Sequence, residues 1–200
     1  MHCQSSSSFP EYDKCVRCLI VGDPKVGKTT FVNTCTYSEK LSKNMDYMNQ
    51  TVYMPIPGIS QHAVLANIDG IKTMIYVDCA NFDITMEYAE WMYKRTNIVI
   101  ILFDMSNKKT FKNVDKWLDD VKKYCKNNQT IVLIGNKTDI DGKEDISIKE
   151  AEEFAKFYNV KFFQCRSKIS DDVNLIFTYV IKNIWIQEKY GSFQTIDINI

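Results

Sequence analysis

Two kinds of apolar pattern alternate along the chain. Short runs rich in β-branched and aromatic residues occur at 15–21, 61–68, 72–77, 98–103, 130–134 and 160–164. Their length and composition predict strands. Between them, apolar residues recur every three or four positions. Phe111, Val114, Trp117, Leu118 and Val121 share one face of a helix predicted over 110–126. Ala151, Phe154, Ala155 and Tyr158 do the same over 148–158. Further helices are predicted after residue 28, over 87–94 and over 172–188. Residues 37–58 are polar and irregular and predict a loop, and Asp69-Gly70 predicts a tight hairpin.

This βα alternation predicts an α/β fold: a mostly parallel six-stranded sheet, one antiparallel edge strand, and helices on both faces. At 200 residues the chain suits one domain, placed at 14–190. Residues 1–13, with four consecutive serines, are expected to be a disordered N-terminal segment, and 191–200 a short tail. Formal net charge is zero, so no nucleic-acid footprint is expected. No apolar run reaches the roughly 20 residues of a membrane span, and the N-terminus lacks the apolar core of a secretory signal. The seven cysteines are scattered through predicted elements, as expected of reduced thiols in the cytoplasm. Cys15-x-x-Cys18 lies on one predicted strand, where odd spacing sends the two thiols to opposite faces.

The first strand runs into Gly22-Asp23-Pro24-Lys25-Val26-Gly27-Lys28-Thr29, followed by Thr30 and an apolar helical stretch. The pattern G-x-x-x-x-G-K-[ST] between strand and helix is a phosphate-binding loop. Its glycines let the backbone N–H groups face phosphate oxygens, its lysine adds a point charge, and its threonine offers a hydroxyl to Mg²⁺. The helix N-terminus adds positive potential. Pro24 removes one N–H from this cradle. Lys25 either adds charge near the phosphates or faces solvent.

Asn136-Lys137-Thr138-Asp139 follows the apolar strand ending at Gly135. A carboxylate at Asp139 can accept from guanine N1–H and the 2-amino group together. Adenine presents no such donor pair and would leave the carboxylate unpaired. The Lys137 stem can lie over the base, and Asn136 can tie this loop to the phosphate loop. An ATP-dependent kinase on the same loop is disfavoured by this segment.

With these motifs the chain resembles the Ras superfamily of small GTPases, most of all its Rab and Rab-like branches. The resemblance covers about residues 14–188 and rests on Gly22–Thr29, Asn136–Asp139 and a degenerate late loop, Gln164-Cys165-Arg166-Ser167-Lys168. Trp117-Leu118 is also Rab-like. The resemblance implies a small G domain binding GTP or GDP and Mg²⁺, with protein effectors or complex subunits as partners. It gives Ser167 and Lys168 a place beside the guanine, and Asp78 a water-mediated place at the metal. Val16–Pro24 and Gly135–Asp139 are similar to the unlipidated Rab-like subunits of intraflagellar transport complexes.

The departures from the family bear on catalysis. Its D-x-x-G-Q segment is here Asp78-Cys79-Ala80-Asn81-Phe82. Asn81 replaces the glycine that contacts the γ-phosphate and pivots between states. Phe82 replaces the glutamine that orients the attacking water, and a phenyl ring has no donor or acceptor. Aligning Gly58 with the Rab glycine puts Ile56 where the family has a Mg²⁺-binding threonine; in the other register that place falls to Thr51. No cysteine follows Cys165 and residue 2 is His, so no direct lipid anchor, prenyl or myristoyl, is expected. Any recruitment to a membrane or cilium is then expected through protein partners. Two readings follow: a slow GTPase, or a non-enzymatic scaffold with GTP or GDP as a structural ligand.

Overall fold

A computed structural model describes residues 11–37, 48–50, 59–68, 70–80, 86–125, 129–139 and 145–190. The strands are β1 (Lys14–Val21), β2 (Met48–Gln50), β3 (Ile59–Ile68), β4 (Ile71–Ala80), β5 (Ile98–Asp104), β6 (Thr130–Asn136) and β7 (Lys161–Cys165). The helices are α1 (Lys28–Tyr37), α2 (Met86–Arg95), α3 (Lys108–Lys112), α4 (Val114–Tyr124), α5 (Ile148–Phe157) and α6 (Ser170–Tyr190). They form one sheet in the order β2-β3-β4-β1-β5-β6-β7.

All six expected strands are present, and β3 runs antiparallel to β4 as the hairpin requires. The sheet is otherwise parallel from β4 through β7. A three-residue strand, β2, lies inside the stretch expected to be irregular and pairs antiparallel with Ala63–Leu65. It lacks an apolar run of its own; the free edge of β3 supplies the ladder that makes it a strand. Asp13, expected in the disordered segment, exchanges hydrogen bonds with Lys72: its N–H donates to the Lys72 carbonyl, and its carboxylate accepts from the Lys72 N–H.

Side-chain alternation divides the core in two. Val16, Cys18 and Ile20 of β1 pack with Phe31, Val32 and Cys35 of α1 and with Val173, Ile176, Phe177 and Val180 of α6. Leu19 and Val21 face the other way, with Met92 of α2, Leu118 and Val121 of α4, and Ala151 and Ala155 of α5. β5 is buried along its whole length because helices cover both its faces, which is why its sequence is continuously apolar. Cys15 is exposed and Cys18 buried, on opposite faces of β1.

The helix expected over 110–126 begins earlier and is divided. Asn107 caps α3, its side chain accepting from the Lys109 N–H. Asn113 then separates α3 from α4. Its backbone stays helical at φ −78° and ψ −9°, so the apolar stripe runs through the break.

Candidate functional site

β1 is the switch point of the sheet: β2 to β4 lie on one side of it, and the chain then crosses over to β5 to β7 on the other. Ligands of open α/β sheets lie beyond the carboxyl ends of the strands at such a point. There β1 runs into Gly22–Thr29, and the neighbouring strands deliver Asp78, Asp104, Asn136 and, just past Cys165, Ser167. Residues far apart in sequence thus meet at one rim.

The loop is held in a tight curve. Gly22 has φ 143°, and a Cβ there would collide with the Leu102 carbonyl oxygen. Gly27 has φ 105°, and a Cβ would strike the Asn136 side-chain amide. Lys28 crosses the loop and donates from Nζ to the carbonyls of Gly22 (2.8 Å) and Asp23 (2.9 Å). Burial pushes its pKa down from the ordinary lysine value. Val26 and Asp23 are buried, whereas Pro24, Lys25, Thr29 and Thr30 are exposed. Lys25 faces solvent and has φ 67°, a left-handed conformation unusual for a residue with a side chain.

Asn136 is the node of the purine side. It is 1% exposed. Its Nδ2 donates to the Val26 carbonyl at 2.7 Å, making the tie to the phosphate loop that the sequence suggested. Its Oδ1 accepts from the Ser167 N–H at 3.0 Å. Three loops are therefore joined through one side chain. The Ser167 N–H, which the family resemblance aims at guanine, here serves that joint. Lys137, at φ 66°, sends Nζ to Asp104 Oδ2 at 2.5 Å. Burial raises the Asp104 pKa, but hydrogen bonds from Lys137 and Ser106 outweigh it and hold the carboxyl below its ordinary range. Asp139 and Lys168 are exposed at the rim. The late loop is braced by Arg166, which forks onto Asp172 of α6 with two 2.8 Å bonds.

On the other side of the switch point, Asp78 lies near the end of β4 and is 9% exposed. Gln61 of β3, its register partner, donates from Nε2 to Asp78 Oδ1 at 2.6 Å. Burial pushes the Asp78 pKa up, with the Gln61 bond and the Arg17 and Arg95 charges opposing. Thr51, Ile56, Asn81 and Phe82 lie outside the described residues.

Two glycines with no room for a side chain, a buried lysine in the loop, an exposed threonine hydroxyl and a rim carboxylate fit a phosphate chain with a divalent cation. Sequence reasoning missed Asp104, Gln61 and Asn113. An acid closing the buried run of β5 was a usable signal for Asp104; the other two depend on tertiary contact.

These features define a phosphate-loop protein with a guanine-type base loop. A family model described as the Ras family matches residues 17–186, and the chain belongs to that family. Within it, this is a small GTPase of the Rab branch. It is 26% identical over 182 residues to human Ras-related protein Rab-37, covering 90% of this chain and 78% of that one. It is 25% identical to rat Rab-26 (86% of this chain, 65% of the relative) and 25% identical to mouse Rab-15 (84% and 76%). Ras-family proteins bind GTP or GDP with Mg²⁺ and typically engage protein effectors. Among the described residues no helix is long and apolar enough to cross a membrane.

Proposed function

We propose that this protein is an atypical Rab-like GTPase of the cytoplasm. It holds GTP or GDP with Mg²⁺, hydrolyses GTP slowly, and acts through protein partners in intracellular or ciliary trafficking. The observation that carries nucleotide binding is the Asn136 joint, which fixes the phosphate loop, the base loop and the late loop together. A site preformed in this way loses little further conformational entropy on binding. In this reading Asp139 accepts from guanine, and the Lys137 stem, pinned at its tip by Asp104, covers the base. Lys28 exchanges its carbonyl partners for phosphate oxygens. Thr29 and Asp78 hold the cation, Asp78 through water. Mg²⁺, when bound, neutralises charge on the phosphates. Slow hydrolysis rests on Phe82, which can neither hold nor polarise water.

The same substitution supports a second reading, a scaffold subunit in which the nucleotide stabilises the fold by mass action. Ciliary transport draws only on the two short stretches, Val16–Pro24 and Gly135–Asp139, noted above. Competition against a fluorescent GDP analogue tests the binding claim. GDP and GTP are expected to displace it at least 100-fold better than ADP or ATP, a difference of about 2.7 kcal/mol. Equal displacement by ADP would remove the guanine assignment. A large difference in partner affinity between GDP and GTP-analogue forms would favour the switch over the scaffold.

A further inference from the structure

Asp23 puts a carboxylate in the phosphate-binding loop, where it lies near the ligand's charge. It is nonetheless buried, and both of its oxygens are held from the same helix surface. Oδ2 accepts from Asn113 Nδ2 at 2.6 Å, and Oδ1 accepts from Trp117 Nε1 at 3.2 Å. Asn113 and Trp117 are four apart and lie on one helical face. The break between α3 and α4 falls on Asn113, whose side chain makes no cap bond and instead reaches Asp23. The two residues after Asp23 bend the loop: Pro24 has a fixed φ and Lys25 sits at φ 67°. A left-handed lysine persists only where its surroundings over-determine it.

We propose that Asn113, Asp23 and Trp117 form a latch that holds the Pro24–Lys25 bend of the phosphate loop. Asp23 is then a positioning residue for nucleotide retention. The inference rests on the proposal that this loop holds a guanine nucleotide.

Release of a fluorescent GDP analogue from the full chain, chased with excess GDP in Mg²⁺, tests the latch. Asp23→Ala and Asn113→Ala are each expected to speed release about tenfold, from the loss of a charge-assisted bond. The double variant should be no faster than the faster single, because one unit is lost in each case. The exchange pair Asp23→Asn with Asn113→Asp restores a donor and an acceptor across the contact. It should bring release back to within about threefold of wild type, while Asn113→Asp alone, setting two carboxylates face to face, is the fastest of all. Merely loosened packing would not be rescued by the exchange. Trp117→Phe keeps the ring and removes only its N–H donor; a two- to threefold acceleration is expected and stands in where Asp23→Ala does not fold. A pure charge effect predicts the opposite sign, with Asp23→Ala slowing release and Asn113→Ala leaving it unchanged. That pattern, additive effects, or no rescue overturns the latch. Failure of the wild type to bind the analogue overturns the nucleotide reading together with it.

Discussion

The two flanks of the site are built on different principles. On the β6–β7 flank, a single buried amide, Asn136, joins three loops, and Lys137 and Asp104 close an ion pair beside it. On the β3–β4 flank, the described geometry reduces to one carboxylate, Asp78, held by Gln61. The sequence just beyond Asp78 carries Asn81 and Phe82 where the family has glycine and glutamine. One flank ties its loops together through the Asn136 side chain and is ready for a base. The other keeps a carboxylate that burial makes reluctant to ionise. Under the proposed function, the contrast makes holding a nucleotide and cutting it separable properties of one rim.

The largest expected effect comes from Lys28, which serves both flanks. Lys28→Ala should weaken GDP binding roughly 100-fold or more, since charge-assisted bonds to phosphate are lost together. Titration calorimetry measures it, and near-wild-type affinity would detach the loop from the ligand. Asp139→Asn sharpens the purine flank. An amide offers one donor and one acceptor, which suits xanthine, whose 2-position carries a carbonyl. GDP affinity should fall on the order of 30- to 100-fold while xanthosine diphosphate gains by a similar factor. Parallel losses for both nucleotides would mean that Asp139 does not read the base.

The hydrolytic flank is probed by Phe82→Gln, expected to raise single-turnover hydrolysis about tenfold, or roughly 1.4 kcal/mol of barrier. An unchanged rate would mean that Phe82 is not the missing piece. The smallest effect concerns Asp78. Its folded pKa is raised, so the charged form burdens the fold above that pKa, and the burden vanishes as pH falls below the unfolded value near 4. Asp78→Asn should therefore raise the melting temperature of the nucleotide-free protein at pH 7. The gain should shrink toward pH 4. In the same variant Mg²⁺ should slow GDP release less than in wild type. No gain at pH 7, or a gain that stays the same down to pH 4, would mean that the Asp78 charge carries no such burden.

Much of this was legible in the chain because its signals are local. The glycine loop, the six strands and the Asn136 tie follow from short motifs and period-two or period-3.6 patterns. What stayed hidden depends on partners distant in sequence. Gln61 meets Asp78 only because the β3–β4 register places them opposite one another. The break at Asn113 left no trace in the spacing, since Phe111, Val114, Leu118 and Val121 continue a helical stripe across it. The strand β2 borrowed its ladder from the edge of β3. The sequence placed Asp23 in the phosphate-binding loop, but its carboxylate partners, Asn113 and Trp117, lie 90 or more residues away.

The central claim is that the purine flank holds a guanine nucleotide while the metal flank cuts it poorly. Its most direct test is single-turnover hydrolysis: purified protein loaded with GTP in Mg²⁺, with GDP followed by ion-exchange chromatography over hours. The account predicts stoichiometric loading and a rate constant at least about tenfold below the roughly 4 × 10⁻⁴ s⁻¹ of an unassisted small GTPase. Hydrolysis at that ordinary rate, or failure to load GTP, would contradict it.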